Sequence, residues 1–169
     1  MKVIPTEIPE VLLIEPAIFG DGRGFFYEAY QRDRYIEAGI DSDFVQDNLS
    51  YSQKNVLRGL HYQWPHPQAK LVQVLEGEVL DVAVDIRRGS PTLGKSVKRS
   101  LSSGNKRQLF IPEGFAHGFF VISENALFMY KCSDFYNPSA EKGLLFSDPG
   151  LAIEWPGDAP ILSAKDAAF

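Results

Sequence analysis

Residues 57–77 read LRGLHYQWPHPQAKLVQVLEG, and they place Arg58, His61 and Lys70 on two predicted strands joined by a Pro-rich turn. The run LVQVL in the second half is typical of a strand, and Gly77 after it is typical of a turn. A purely structural sheet gains little from three cationic or titratable side chains so close together. We therefore predict that this stretch carries a functional site.

The spacing of Arg58 and His61 argues against a shared pocket, because side chains alternate between the two faces of a regular strand. Residues three apart then point to opposite faces. Gly59 lies between them, and a glycine inside a strand often marks a bulge that changes the alternation. The sequence alone leaves open whether the two side chains face one pocket.

The composition predicts a soluble protein with a sizeable core, since 44% of the 169 residues are hydrophobic, and we expect a single domain over residues 1–169. A formal net charge of -5 argues against a nucleic-acid-binding protein. No apolar run approaches the ~18 residues of a membrane span, and Met1 and Lys2 precede no long apolar signal region. A single cysteine, Cys132, excludes an internal disulfide and fits a reducing cytoplasm, where we expect the protein to work.

Short strand-like runs between turn residues recur along the chain. The clearest covers residues 78–86, where apolar side chains occupy every second position. They are Leu80, Val82, Val84 and Ile86, and they alternate with Asp81, Ala83 and Asp85. The best helix candidate, residues 31–39, is short and ends at Gly39. This pattern predicts an all-β fold, either an antiparallel β-sandwich or a jelly-roll β-barrel, with a few short peripheral helices. A barrel of this kind holds ligands in its mouth or interior.

Polar side chains recur at alternate positions in residues 44–52, on one side of a predicted strand. They are Gln46, Asn48, Ser50 and Ser52. Such a row either faces solvent or lines a wet cavity. The sequence does not decide between the two.

Three glycines surround Arg23 in residues 19–28, FGDGRGFFYE, and aromatic residues follow directly. Glycine permits close backbone approach, so the guanidinium can act as a fork for phosphate while an aromatic ring stacks on a base. The alternative is an ordinary glycine turn with a solvated arginine.

Two sub-patterns resemble the metal-binding motifs of the cupins, which are small β-barrels. Pro112, Gly114 and His117 reproduce the second motif, P-x-G-x-x-H. The resemblance implies a cupin-type barrel.

The first cupin motif is only partly present, as His61-Tyr62-Gln63 with Lys70 seven residues before Gly77. In metal cupins a histidine stands at the position of Gln63 and a glutamate at that of Lys70. Two imidazoles rarely hold a catalytic divalent ion without a carboxylate or thiolate. We therefore expect no metal and no cofactor.

A barrel that lacks a metal but has a base and an ammonium suits enolate chemistry. Removing a proton beside a ketone needs a base, for which His61 is the candidate, and a positive charge near the oxygen, for which Lys70 is the candidate. Inversion also needs an acid on the opposite face, a role that Tyr130 can fill.

Longer motifs over roughly residues 4–166 together resemble the dTDP-4-dehydrorhamnose 3,5-epimerase family. They are GRGFFYE (22–28), FVQDN (44–48), LRGLHYQ (57–63), QAKLV (68–72), GFAHGF (114–119) and KD (165–166). The resemblance implies a homodimeric, cofactor-independent isomerase of dTDP-L-rhamnose biosynthesis. Its substrate would be dTDP-4-dehydro-6-deoxy-D-glucose and its product dTDP-4-dehydro-L-rhamnose, formed through enolates.

The resemblance also implies residue roles. His61 removes the C3 and C5 protons, Asp166 pairs with it, Tyr130 donates a proton and Lys70 supports the enolate oxygen. The residues implied to neutralise the diphosphate are Arg23, Arg58 and Lys165. Those implied to bind sugar or nucleotide are Glu28, Gln46, Asp47, Asn48, His117 and Glu141, with Phe19 and Phe26 around the thymine. In this family the Arg23 region can reach the neighbouring subunit's pocket.

Three other hypotheses remain. A 3-epimerase of a related dTDP-4-keto-6-deoxysugar shares all these motifs. The second is a catalytically silent nucleotide-sugar-binding cupin. The presence of His61, Asp166, Lys70 and Tyr130 together argues against it. A metal-dependent cupin oxygenase or isomerase conflicts with Gln63 and Lys70.

Overall fold

The computed structural model describes residues 1–157 and 159–169 and contains two facing sheets. The strands are β1 (Lys2–Pro5), β2 (Leu12–Glu15), β3 (Ile18–Asp21), β4 (Gly24–Tyr27), β5 (Gln46–Gln53), β6 (Leu57–Gln63), β7 (Lys70–Glu76), β8 (Glu78–Asp85), β9 (Ser96–Ser102), β10 (Gln108–Ile111), β11 (Phe115–Val121), β12 (Asn125–Cys132) and β13 (Glu141–Gly143). The helices are α1 (Arg32–Glu37) and a 3-10 helix, Asp166–Ala168.

The first sheet has six strands in the order β1-β2-β10-β7-β12-β5, and the second has five in the order β13-β6-β11-β8-β9. Strands β3 and β4 form a separate hairpin. Every pairing between these strands is antiparallel. The predicted all-β, jelly-roll class is confirmed.

The main core lies between the sheets, where buried side chains of both inner faces meet. Phe119 of β11 and Phe128 of β12 stack there with ring centroids 4.1 Å apart. Burying apolar surface of this size is the dominant favourable contribution to folding. The aromatic pair joins the two walls of the barrel beneath the site described below.

Strand β8 alternates as its sequence predicts. Its apolar side chains Val82 and Val84 belong to an outer cluster that includes Leu144 and Trp155 from the chain after β13. Its acidic side chains Asp81 and Asp85 are fully buried. A buried carboxylate needs hydrogen-bond partners, so each aspartate marks a polar interaction inside the fold.

Helix α1 is as short and peripheral as predicted. Gln31 caps it by accepting a hydrogen bond from the Arg34 N–H, and Gly39 follows with a φ of 90°. Tyr35 is buried against the outer face of the six-stranded sheet and donates a hydrogen bond to Gln108 Oε1 at 2.7 Å. Within residues 1–157 and 159–169, no helix has the length and apolar character needed to cross a membrane.

Strands β6 and β7 follow one another in sequence but belong to different sheets. The Pro-rich loop between them therefore crosses from one wall of the barrel to the other. This crossing puts His61 on the five-stranded wall and Lys70 on the six-stranded wall.

Candidate active site

A cavity of about 580 Å³ opens between the two sheets. It brings together most of the side chains that the sequence analysis selected. Those that line it are Gln46, Asn48, Arg58, His61, Lys70, His117, Tyr130, Glu141, Lys165 and Asp166. Three of the four polar residues in the β5 row, Gln46, Asn48 and Ser50, also line it, so the row faces a cavity and not open solvent.

A bulge in β6 turns Arg58 and His61 to the same side. On β11 their partners are Phe119 and His117, which are two residues apart, whereas Arg58 and His61 are three apart. Strand β6 thus carries one extra residue, and the alternation is changed as Gly59 suggested. Gly59 has a φ of 126°, and a Cβ there would overlap the backbone of β11. Arg58 also donates a hydrogen bond from Nε to Ser52 Oγ at 3.0 Å.

His61 is paired with Asp166, which is buried at the start of the 3-10 helix. His61 Nε2 lies 2.5 Å from Asp166 Oδ1. Burial lowers the pKa of His61, and the hydrogen bond to Asp166 only partly offsets this effect. The imidazole is therefore neutral near pH 7, with Nε2–H donating to Asp166 and Nδ1 left as the proton acceptor.

Lys70 is 8% exposed at the start of β7, and it lines the cavity. Burial lowers the pKa of its ammonium, while Cys132, Glu141 and Asp81 act in the opposite direction. A cation held in such a place can stabilise negative charge that develops on a bound molecule.

Tyr130 lies on β12, on the same wall as Lys70. In the pairing of β7 with β12, Tyr130 lies opposite Val72 and Lys70 lies opposite Cys132. The two side chains are therefore offset by two residues along the strands and share a face of the sheet. Burial raises the pKa of the Tyr130 phenol, which keeps its proton at neutral pH. The imidazole of His61 therefore comes from one wall of the cavity, and the phenol of Tyr130 and the ammonium of Lys70 come from the other.

A second histidine, His117, stands directly across from His61 on β11. Its Nε2 lies 2.9 Å from Asp81 Oδ2, and the ring of Phe128 stacks on it at 6.1 Å. Sequence reasoning did not assign a role to Asp81. The position of Asp81 in the alternating pattern of β8, on the face opposite the apolar row, could have indicated that it has a buried polar partner.

Glu141 connects Lys165 with Tyr136 through two hydrogen bonds. Tyr136 is a second residue of the cavity to which sequence reasoning assigned no role. Glu141 Oε1 accepts a hydrogen bond from Lys165 Nζ at 2.6 Å, and its Oε2 accepts one from the Tyr136 hydroxyl at 2.7 Å. Burial raises the pKa of Glu141, but these two hydrogen bonds outweigh it and the net shift is downward. Glu141 is thus an ionised acceptor at the mouth of the cavity.

Cys132 is 1% exposed, and it also lines the cavity. Its Sγ accepts a hydrogen bond from Asn48 Nδ2 at 3.6 Å. Cys132 thereby helps to orient an amide that the sequence analysis assigned to substrate binding.

The residues at the cupin metal positions do not fit a metal ion. The Gln63 amide donates to the backbone oxygens of His66 and Phe135 and accepts from the Asn137 N–H, so it holds loops together. Lys70 is a cation, and Nε2 of His117 is held by Asp81. The part of the chain that the structure describes has no group of three or more His, Cys, Asp or Glu side chains placed to hold a metal.

The β3–β4 hairpin lies outside the cavity. Phe19 and Phe26 pair across it and are 66% and 69% exposed. Arg23 at its tip pairs with Asp21 at 2.6 Å, and both side chains are exposed. The chain does not bring these three predicted binding residues to its own cavity.

Two further predicted residues point elsewhere. Glu28 pairs with Arg34 at 2.9 Å beside helix α1. Asp47 lies between Gln46 and Asn48 on β5, so its side chain is on the opposite face of the strand and points away from the cavity. On that outer face its carboxylate pairs with Lys131 at 3.0 Å. Their assignment to substrate binding stays a prediction.

Comparison with known proteins gives consistent results. Residues 5–169 match the model of the dTDP-4-dehydrorhamnose 3,5-epimerase family. The dTDP-4-dehydrorhamnose 3,5-epimerase of Shigella flexneri is 58% identical over 168 residues, which cover 98% of this chain and 93% of that protein.

Two crystal structures have nearly the same fold. One is the dTDP-6-deoxy-D-glucose-3,5-epimerase of Legionella pneumophila Philadelphia 1 in complex with dTDP-4-keto-L-rhamnose, with a TM-score of 0.97, 59% identity and coverage of 99% of this chain and 90% of that one. The other is the dTDP-4-dehydrorhamnose 3,5-epimerase of Bacillus anthracis strain Ames with TDP and PPi bound, with a TM-score of 0.96, 45% identity and coverage of 98% and 96%.

Proposed function

The chain belongs to the dTDP-4-dehydrorhamnose 3,5-epimerase family, and we propose that it inverts C3 and C5 of dTDP-4-dehydro-6-deoxy-D-glucose without a cofactor. The product is dTDP-4-dehydro-L-rhamnose, an intermediate of dTDP-L-rhamnose biosynthesis. The observation that carries the mechanism is the arrangement of the cavity. A neutral histidine paired with a buried carboxylate lies on one wall, and a phenol and an ammonium lie on the other.

The first half of each inversion is proton removal. His61 takes the proton from the carbon beside the C4 ketone, and the electron pair of that C–H bond moves into the enolate, placing negative charge on O4. Asp166 stabilises the imidazolium that forms, as a carboxylate does in other histidine dyads. Lys70 stabilises the charge on O4 from the six-stranded wall.

The second half is proton return from the opposite face. The enolate carbon is planar, so a proton delivered by Tyr130 gives the inverted centre. Before the next inversion, His61 releases its proton and Tyr130 regains one, both by exchange with solvent. The same groups then act at the second carbon.

Substrate binding uses the charges at the cavity. We assign Arg58 and Lys165 to the diphosphate, because both are cations that line the cavity. Gln46, Asn48 and His117 then hydrogen-bond the sugar or the nucleotide.

We further propose a homodimer in which the β3–β4 hairpin of one chain completes the cavity of the other. The hairpin carries two exposed phenylalanines and a cation that the single chain leaves outside its own cavity. The edge strand β5 of the six-stranded sheet also exposes apolar side chains, Leu49 and Tyr51. Large exposed apolar groups of this kind mark interaction surfaces. The buried free thiol of Cys132 is consistent with work in the cytoplasm, which we also propose.

The deciding experiment is NMR of dTDP-4-dehydro-6-deoxy-D-glucose incubated with the protein in D2O. We expect deuterium at both C3 and C5, and no exchange with His61→Asn. Deuterium at C3 alone would identify a 3-epimerase. Absence of exchange with the wild-type protein would identify a catalytically silent binding protein, and exchange that persists in His61→Asn would remove His61 from the role of base.

A further inference from the structure

Residues 161–169 form a segment that is attached to the start of β6. Ile161 forms a parallel bridge with Val56, its carbonyl accepts the Leu57 N–H at 3.0 Å, and its N–H donates to the Asn55 carbonyl at 2.8 Å. Further along, Ser163 Oγ accepts the N–H of Asp166 at 3.1 Å. The segment thus runs from the first residues of β6 to the histidine on the same strand.

The segment contacts His61 twice. Asp166 bonds to Nε2 of the imidazole, and the ring of Phe169 packs edge-on against it with centroids 5.9 Å apart at an interplanar angle of 68°. Such an edge-to-face arrangement is a favoured aromatic geometry. One contact is polar and directional, while the other fills space beside the ring.

Gly143 makes room for the Phe169 ring. It lies directly opposite His61 in the pairing of β13 with β6. A Cβ placed on Gly143 would overlap three atoms of the Phe169 ring. The φ of Gly143 lies outside the left-handed range, so the backbone itself accepts other residues. What the position requires is the absence of a side chain.

We propose that Phe169 is a positioning residue for His61, and that Gly143 is the socket for its ring. The ring keeps the imidazole in the orientation in which Nε2 meets Asp166, and it shields the imidazole from water. This role rests on the proposed function of His61 as the base. Without the ring, the imidazole gains freedom to rotate away from Asp166, and a loss of orientation of about 1 Å costs roughly 100-fold in rate in other enzymes.

Several charged or titratable groups surround His61 and remain when Phe169 is changed. Asp166 and Lys165 come from the same segment, Glu141 from β13, and His117 faces His61 from β11. Asp166 and Glu141 raise the pKa of His61, whereas burial and Lys165 lower it. Admitting water beside the imidazole weakens the effect of burial and raises the pKa of His61, whereas rotation away from Asp166 lowers it. Burial is the largest of these effects, so we expect a net rise of the pKa.

The first test compares Phe169→Ala with Phe169→Tyr, which keeps an aromatic ring. NMR titration of the His61 ring, labelled with ¹³C at Cε1, reports the pKa without turnover. For Phe169→Ala we expect a higher pKa, a kcat lower by about tenfold and a KM changed by less than about twofold, because the substrate contacts remain. For Phe169→Tyr we expect values near those of the wild type.

The second test is a double-mutant cycle with Gly143→Ala, whose methyl group displaces the ring. We expect Gly143→Ala to reproduce the effects of Phe169→Ala, and the double variant to be no worse than either single variant, because both remove the same contact. Gly104→Ala is the matched control, since a Cβ there meets only the Ser102 hydroxyl, at 3.6 Å.

The proposal is overturned if Phe169→Ala leaves both the His61 pKa and kcat unchanged, or if the two substitutions act additively. Failure of the proposed function gives a different result, because the wild-type protein would then not exchange protons of the 4-keto sugar. The NMR titration still reports the contact between Phe169 and His61 in that case.

Discussion

Arg58 and His61 face one cavity although they are three positions apart on β6, because the strand carries one extra residue opposite His117 and Phe119. The bulge brings the cation that we assign to the diphosphate and the proposed base to the same side. Gly59 makes this possible through its left-handed backbone and its close approach to Gly118.

Gly59→Ala is therefore expected to destabilise the fold. The added Cβ meets the backbone of β11 at a residue whose φ is 126°, so both strain and overlap contribute. We expect a loss of roughly 3 kcal/mol in the free energy of unfolding, measured by urea denaturation. Gly104→Ala, where a Cβ makes only an ordinary contact, should change it by less than about 1 kcal/mol. Equal losses in the two variants would contradict the role of Gly59.

Asp166→Asn is expected to reduce kcat by roughly 100-fold or more, because the imidazolium loses its carboxylate partner. The pKa of His61 should fall further, since Asp166 is a group that raises it. The base must be neutral, so the acidic limb of the kcat/KM profile moves to lower pH. The exposed Asp33 offers the control Asp33→Asn, for which an unchanged profile is expected. A limb that moves to higher pH in Asp166→Asn would refute this assignment.

Lys70→Met separates function from stability. Removing the ammonium should lower the rate of deuterium exchange roughly 1,000-fold, in line with the loss of a key charge stabiliser. The unliganded fold should be as stable as the wild type or more stable, because a buried cation is replaced by an apolar side chain of similar length.

The stability difference between Lys70→Met and the wild type should depend on pH. The pKa of Lys70 is lowered in the folded state, so burying its charge costs most at low pH. The cost declines as the pH rises through the folded pKa towards the unfolded value near 10.4. A difference that grows with pH in urea titrations would contradict this account.

Asp85→Asn tests a buried carboxylate remote from the cavity. Burial raises the pKa of Asp85, but hydrogen bonds from Arg87, Ser90 and Thr92 outweigh it and lower the pKa overall. The carboxylate thus stabilises the fold above its unfolded pKa of about 3.9, and this contribution is lost as the pH falls. We expect the variant to be about 2 kcal/mol less stable at pH 7, with the difference closing below about pH 4.

The matched control for Asp85→Asn is Asp21→Asn, because Asp21 also pairs with an arginine but is exposed. Surface pairs contribute little, so no measurable change is expected there. An undiminished difference for Asp85→Asn at acid pH would rule out this carboxylate as the source.

Subunit mixing tests the shared site of the proposed dimer. Arg23→Ala chains and His61→Asn chains should each be weakly active or inactive alone. In a mixed dimer the intact His61 of one chain meets the intact Arg23 of the other, so one site is complete. Half of the dimers in an equal mixture are mixed, and each of these has one complete site out of two. We therefore expect about a quarter of the wild-type activity after exchange of subunits. No recovery would place Arg23 outside the partner's cavity.

Local sequence patterns were sufficient to predict several elements of the fold. The alternation in residues 78–86 correctly predicted which side chains of β8 share a face, because a strand's period of two is a property of the backbone alone. Gln31 and Gly39 likewise marked the ends of a short helix, since capping is local chemistry.

Pairings between distant residues were not visible in the same way. Asp81 and His117 lie 36 residues apart, and His61 and Asp166 lie 105 apart. Only the resemblance to a family suggested the second pair, and nothing suggested the first. The roles of Tyr136 and Phe169 also depend on contacts made after the sheets have closed.

The sequence by itself determined several of the strands, the all-β class, the family and the residue types of the site. Periodicity, turn chemistry and motif order are properties of the sequence. Only the tertiary structure decided that β6 and β7 form opposite walls, that a bulge aligns Arg58 with His61, and that the Arg23 hairpin stays outside its own cavity. The physical reason is that these features depend on strand register and sheet pairing. Both are set by the packing of residues that are remote from one another in sequence.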